Sequence, residues 1–148
     1  MPVLNENDAA IRKVLDEAVT IAMVGASDDP YYASFEIARY LRGQGYIVYP
    51  VNPTIDEADG HPTYDTLADV PAPIDIVNVF RKSDYLPDIM DDAAAVGAKT
   101  VWAQLGVVDI DGDATRRALE AGLNVATDLC IRTEHQRLGI DARHTEDE

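Results

Sequence analysis

The chain has 148 residues, 27 acidic side chains against 12 basic ones, a formal net charge of −15 and a pI near 4.3. That balance excludes a general nucleic-acid binder, which needs a basic face. No apolar run approaches the ~20 residues of a membrane span, and the single cysteine, Cys130, excludes an internal disulfide framework and suits a cytoplasmic protein. The length fits one domain over residues 1–148, with no leader ahead of the first charged residues. Nine arginines and only three lysines (Lys13, Lys82 and Lys99) among so many carboxylates read as an acidic, halophilic composition. At ~1 M salt the self-repulsion is screened within ~3 Å.

Asn5 to Val19 carries Ile11, Val14, Leu15 and Ala18 at helical spacing, with Asn7 or Asp8 as N-cap. Ile21 to Val24 is a short apolar strand that stops at Gly25. A helix follows from Ser34, with Phe35, Ile37, Ala38 and Leu41 on one face and glycines 43 and 45 to end it. Strand, glycine turn and helix together leave free backbone N–H groups where an anion can sit.

Tyr46 to Val51 is a second strand, closed by Asn52-Pro53, and the β-α-β unit makes the two strands parallel. Residues 54–60 read as a polar loop and 64–70 as a short helical turn. Ile74 to Phe80 is the third strand. Ser83 or Asp84 caps a helix to about Val96. Thr100 to Ala103 is the fourth strand. A helix from Asp113 to Ala121, a short strand from Asn124 to Ala126 and a last helix from Cys130 to Leu138 follow. Residues 141–148 read as a solvated, flexible acidic tail.

Five short strands alternating with helices predict a three-layer α/β domain around a five-stranded parallel sheet, with expected order 3-2-1-4-5. In that order the switch point lies between strands one and four, and ligand binds outside their carboxyl ends. The loops converging there begin at Gly25, Asn52, Phe80 and Gln104.

Several nucleotide chemistries are disfavoured or excluded at this point. The dinucleotide fingerprint needs three set glycines, but Gly25 is followed by Ala26, Ser27 and Asp28, and Asn52-Pro53 replaces the acid after strand two. There is no Gly-Lys-Ser/Thr phosphate loop. The acidic pair Asp28-Asp29 lacks the aspartate and lysine a phospho-receiver needs, since Phe80 and Thr127 stand there. There is no Gly-x-Ser-x-Gly elbow, and His61, His135 and His144 lack metal-ligand spacing.

Five blocks in order carry a resemblance: Val24-Gly-Ala-Ser27, Tyr46 through Val51-Asn-Pro53, Asp75 through Phe80-Arg81, Trp102 through Val107, and Asp128 through His135. They resemble the stand-alone CoA-binding proteins, which are similar to the N-terminal CoA-binding domain of the succinyl-CoA synthetase alpha subunit. The resemblance runs from about Lys13 to Leu138. It implies a Rossmann-like fold and coenzyme A, or an acyl-CoA, as the small-molecule partner, with no catalysis by the chain alone.

Carried over by position, Gly25, Ala26 and Ser27 match the phosphate loop, and Ser34 the start of the helix behind it. Asn52 and Pro53 match the nucleotide end of the site, and Val79, Phe80 and Arg81 the strand-three edge. Gln104 and Gly106 match the loop beside the pantetheine arm. The chain departs from the family at Thr54, where a basic residue is common, with Asp56 and Glu57 following. Tyr31-Tyr32-Ala33 replaces a loop richer in proline or basic residues.

Residues outside this set have plainer readings. Cys130 at a helix start invites thiol chemistry, but a small buried packing residue is the favoured reading. Asp128, Glu134 and His135 read as caps and surface pairs, and Trp102 as core. Tyr31 or Tyr32 is placed to cover an adenine or ribose. Three functions stay open: a CoA-binding module, a thiol or acyl-CoA enzyme using Cys130, and the CoA-binding subunit of a larger ligase-type complex. Assembly with itself or with a partner protein fits each of them.

Overall fold

A computed structural model describes residues 3–142. Its elements in chain order are α1 (Asp8–Glu17), β1 (Thr20–Val24), α2 (Ala33–Gly43), β2 (Ile47–Val51), β3 (Glu57–Ala58), β4 (His61–Pro62), β5 (Ile76–Val79), α3 (Leu86–Ala95), β6 (Thr100–Ala103), α4 (Asp113–Glu120), β7 (Asn124–Ala126) and α5 (Ile131–Arg137). Short 3-10 turns at Leu67–Asp69 and Ser83–Tyr85 complete the set. The five long strands and five helices are those the apolar periodicity predicts. Of the expected tail, residues 143–148 lie outside the described residues.

The main sheet is all parallel, in the order β2-β1-β5-β6-β7. This corrects the expected 3-2-1-4-5: in the same numbering the order is 2-1-3-4-5, because the third strand, β5, lies beside β1. Two features of the sequence decide it. Pro50 has no N–H to give a neighbour on its outer side, so β2 belongs at an edge; its carbonyl accepts from the Tyr64 N–H at 3.0 Å, outside the sheet. Asp75 locks the start of β5 to the start of β1, accepting from the Val19 and Thr20 N–H groups at 2.7 and 3.1 Å. Accordingly β1 and β5 are buried along their whole length, whereas Ile47 of β2 is exposed. The switch point moves with the order. It lies between β1 and β5, not between the first and fourth strands.

A helix layer covers each face. On one, Ile11 and Leu15 of α1, Ile37 and Leu41 of α2 and Ile131 of α5 pack on Ile21, Met23, Ile76 and Trp102. On the other, Leu86 and Met90 of α3 and Ala114 and Ala118 of α4 pack on Ala22, Val77, Val101 and Val125. Trp102 is fully buried, with its indole N–H donating to the Leu129 carbonyl at 2.9 Å, as a core residue requires.

Both sheet edges are occupied. Beside β2, Arg42 donates to the Val48 carbonyl at 2.9 Å and Tyr64 runs alongside Val51. Beside β7, the Leu4 N–H donates to the Val125 carbonyl at 2.7 Å, and Asn5 exchanges two hydrogen bonds with the backbone of Thr127.

Residues 54–60 are not the plain loop expected. They enter a hairpin of β3 and β4 whose turn is Asp59-Gly60, both at positive φ (52° and 79°). Asp-Gly is the residue pair such a two-residue turn favours. The hairpin is tied down twice: its Asp59 N–H donates to Asp28 Oδ1 at 2.7 Å, and Arg39 of α2 makes a two-pronged bond to the Asp59 carboxylate at 2.7 and 2.9 Å.

Candidate functional site

Gly25 ends β1 with φ +90° and its N–H bound to the Val51 carbonyl at 3.0 Å. A Cβ there would lie 2.8 Å from the Phe80 carbonyl oxygen, so the close approach of the β1 and β5 ends requires glycine. From Gly25 the chain turns through Ala26, Ser27 and Asp28 into α2. Ser27 Oγ accepts from the Asp29 N–H at 2.9 Å, and the Asp29 carboxylate accepts from the Tyr31 N–H at 2.9 Å, so the loop is stapled by its own side chains. No side chain caps α2. Among the described residues, the N–H groups of Ala26, Ser27, Asp28, Ala33 and Ser34 have no acceptor. An ordered turn with spare amides at a helix start is the kind of cradle that suits an anion.

The cradle opens into a cleft of about 420 Å³ at the carboxyl ends of β1, β2 and β5, on the α2 side of the sheet. Besides the loop, Tyr32, Asn52, Ile55 and Phe80 line it. Asn52 holds the floor in place: its Nδ2 donates to the Ala26 carbonyl at 2.8 Å, and its Oδ1 accepts from the Thr54 N–H and hydroxyl at 2.9 and 2.7 Å. A second, smaller cleft of about 180 Å³ opens on the α3 side of the same strand ends, where Pro53, Asp65, Arg81, Tyr85, Asp88 and Asp92 meet. The Arg81 guanidinium stacks on the Tyr85 ring, 4.1 Å from its centre.

The structure thus brings together Gly25, Ala26, Ser27, Ser34, Asn52 and Phe80 in one cleft, with Pro53 and Arg81 in its neighbour. Three other expected residues stand apart from both. Val79 is fully buried in the core of the α3 face. Gln104 is buried beneath α5, its Oε1 accepting from Asn78 Nδ2 and from the Ile131 N–H, each at 3.3 Å. Gly106 is exposed, with its N–H donating to Asp128 at 2.7 Å. Of the two tyrosines, Tyr32 lines the first cleft and Tyr31 stands 93% exposed outside it. Sequence reasoning missed Ile55 and Asp28 as wall residues. The signal for Ile55 was a single large apolar residue inside the polar run 54–60.

Cys130 is half-buried at the N-cap of α5. Burial pushes its thiol up, but hydrogen bonds from the Thr133 hydroxyl and N–H, the Gln104 amide and the Arg132 N–H outweigh it and hold the thiol below its ordinary value. The expected reading of Glu134 and His135 as surface groups is corrected: both are buried, with His135 Nδ1 2.7 Å from the Tyr40 hydroxyl between α5 and α2. Among the described residues no group of histidine, cysteine and carboxylates could hold a metal ion, and no helix is long and apolar enough to cross a membrane.

Comparison with known proteins gives a consistent picture. The CoA binding domain family matches residues 19–136. The uncharacterized protein YneT of Bacillus subtilis (strain 168) is 40% identical over 131 residues, covering 88% of this chain and 96% of its own. A solved structure, a hypothetical protein from Pyrococcus horikoshii OT3, superposes with TM-score 0.86 at 36% identity, over 93% of this chain and 96% of its own. The alpha subunit of the ADP-forming acetate–CoA ligase II of Pyrococcus furiosus is 29% identical over 82 residues, covering 55% of this chain and 18% of its own length.

Proposed function

The chain belongs to the CoA binding domain family, and from that premise we propose that it binds coenzyme A or an acyl-CoA at the carboxyl ends of β1, β2 and β5, as a binding module without catalysis of its own. The observation that carries this reading is the turn from Gly25 to Ser34, whose five spare amides belong to residues that line the first cleft at the start of α2. A diphosphate is a fitting occupant, because helix-end amides favour negative charge without a compensating cation. Ser27 and Ser34 add hydroxyl donors, and Arg81 supplies a guanidinium from the adjoining cleft. Tyr32, Ile55 and Phe80 give the apolar walls that an adenine or pantetheine needs.

Nicotinamide dinucleotides fit less well. Two fingerprint glycines are missing, and Asn52 stands where a carboxylate would hold the ribose hydroxyls. A ligand that binds only the folded state stabilises it by about 2.7 kcal/mol at a hundred times Kd. CoA is therefore expected to raise the melting temperature in high-salt buffer, while equal NAD or NADP leaves it unchanged. A shift with NAD and none with CoA would return the function to hydride transfer.

A further inference from the structure

In a doubly wound sheet with its diphosphate at the helix after the first strand, the ribose lies toward the end of the second strand. Here that place is Asn52 to Thr54, and all but one of its donors are already spent. Asn52 donates its N–H to the Tyr64 carbonyl and one Nδ2 hydrogen to the Ala26 carbonyl, and Thr54 donates both its N–H and its hydroxyl to Asn52 Oδ1. Pro53 has none to give. One amide hydrogen of Asn52 remains.

Two of the nearby cations are committed as well, and the third stands among carboxylates. Arg39 is held by Asp59, Arg42 lies along the outer edge of β2 on the Val48 carbonyl, and Arg81 shares its cleft with Asp65, Asp88 and Asp92. Asp28 adds a carboxylate to the wall of the first cleft.

We propose that this site selects against a phosphate on the ribose 3′-oxygen and takes dephospho-CoA in preference to CoA. The inference rests on the CoA-type reading above and specifies its ligand. A phosphomonoester brings about −1.5 to −2 charges near neutral pH. From Asn52 to Thr54 it meets one amide hydrogen, and the adjoining cleft is lined by three carboxylates and one guanidinium. The diphosphate common to both ligands keeps its five amides and the α2 terminus. The discrimination therefore falls on the 3′-phosphate alone.

The test is a pair of titrations of the whole protein by calorimetry, with CoA and with dephospho-CoA, in buffer free of divalent cations. They are run at the lowest salt where circular dichroism shows the native fold and again at ~3 M KCl. Dephospho-CoA is expected to bind about tenfold more tightly at the lower salt, with the ratio shrinking at the higher one as like-charge repulsion is screened. The Asp28→Asn variant keeps an oxygen for the Asp59 N–H and removes a charge, so it is expected to narrow the ratio. Equal or tighter binding of CoA overturns the selectivity and leaves the CoA-type reading standing. A preference for dephospho-CoA that ignores both salt and Asp28→Asn overturns its electrostatic cause, and binding of neither ligand overturns the CoA-type reading itself.

Discussion

Gly25 shows how a single residue serves fold and site together. Its positive φ and the Phe80 carbonyl 2.8 Å from where a Cβ would stand leave no room for a side chain. Gly25→Ala is expected to cost about 1–3 kcal/mol, the range for a strained backbone position, read as a lower urea midpoint with unchanged slope. Arg81 is a matter of affinity instead. Arg81→Ala is expected to weaken CoA binding by about 1–3 kcal/mol, the range for a charge-assisted contact, in calorimetry on protein whose circular dichroism is native; unchanged affinity would leave Arg81 a stacking partner of Tyr85 only. The turn at Gly25 and the Asn52-Pro53 stop were legible in the sequence, because one residue type limits the backbone there. What Gln104 does was not legible. A polar residue at a strand end reads as a ligand contact until the partners that bury it, Asn78 and the Ile131 N–H, are seen.

Apolar periodicity was enough to place the helices and the main strands, since each buries one face or both. Their order was not fixed by periodicity, because strands with similar apolar runs compete for the same neighbours. The mark that separates β2 from the rest is Pro50, and the one that seats β5 beside β1 is Asp75. Asp75 also carries a measurable consequence. Burial pushes its carboxyl up, but the Val19 and Thr20 N–H groups and Lys99 outweigh this and hold it below the ordinary 3.8. A depressed folded value means the unfolded chain takes up the proton first. Stability from Asp75 is thus complete above 3.8 and lost as pH falls through the lower folded value. Asp75→Asn is expected to lower stability at pH 7 by about 1–3 kcal/mol, the range for hydrogen bonds to a charged group, and to flatten the acid limb of the pH–stability curve below pH 3.8. An acid limb of unchanged steepness would show that other carboxylates govern it.

At the scale of the whole molecule, a net charge of −15 sets fold and ligand against the same repulsion. Half of the ion pairs among the described residues, Arg116–Glu120, Arg117–Asp91 and Arg137–Asp8, are exposed on both partners and stabilise by ~0–1 kcal/mol each. Salt weakens those pairs a little and the long-range repulsion a great deal. Both the melting temperature and the CoA association constant are therefore expected to rise between ~0.1 M and ~2 M KCl. A phosphate binder that relies on a basic surface does the reverse, so affinity that falls with salt would indicate a cationic contact outside the two clefts.

The same screening takes away the mutual repulsion that keeps acidic molecules apart in dilute buffer. In brine, colloidal protection has to come from shape and hydrogen bonding, and an unguarded strand is where neighbouring copies would join. Pro50, Arg42 and Tyr64 close one side of the sheet, and Leu4 and Asn5 close the other. Leu4 and Asn5, which line neither cleft, thereby act as a selvedge that keeps β7 from pairing with a second copy once salt screens the charge.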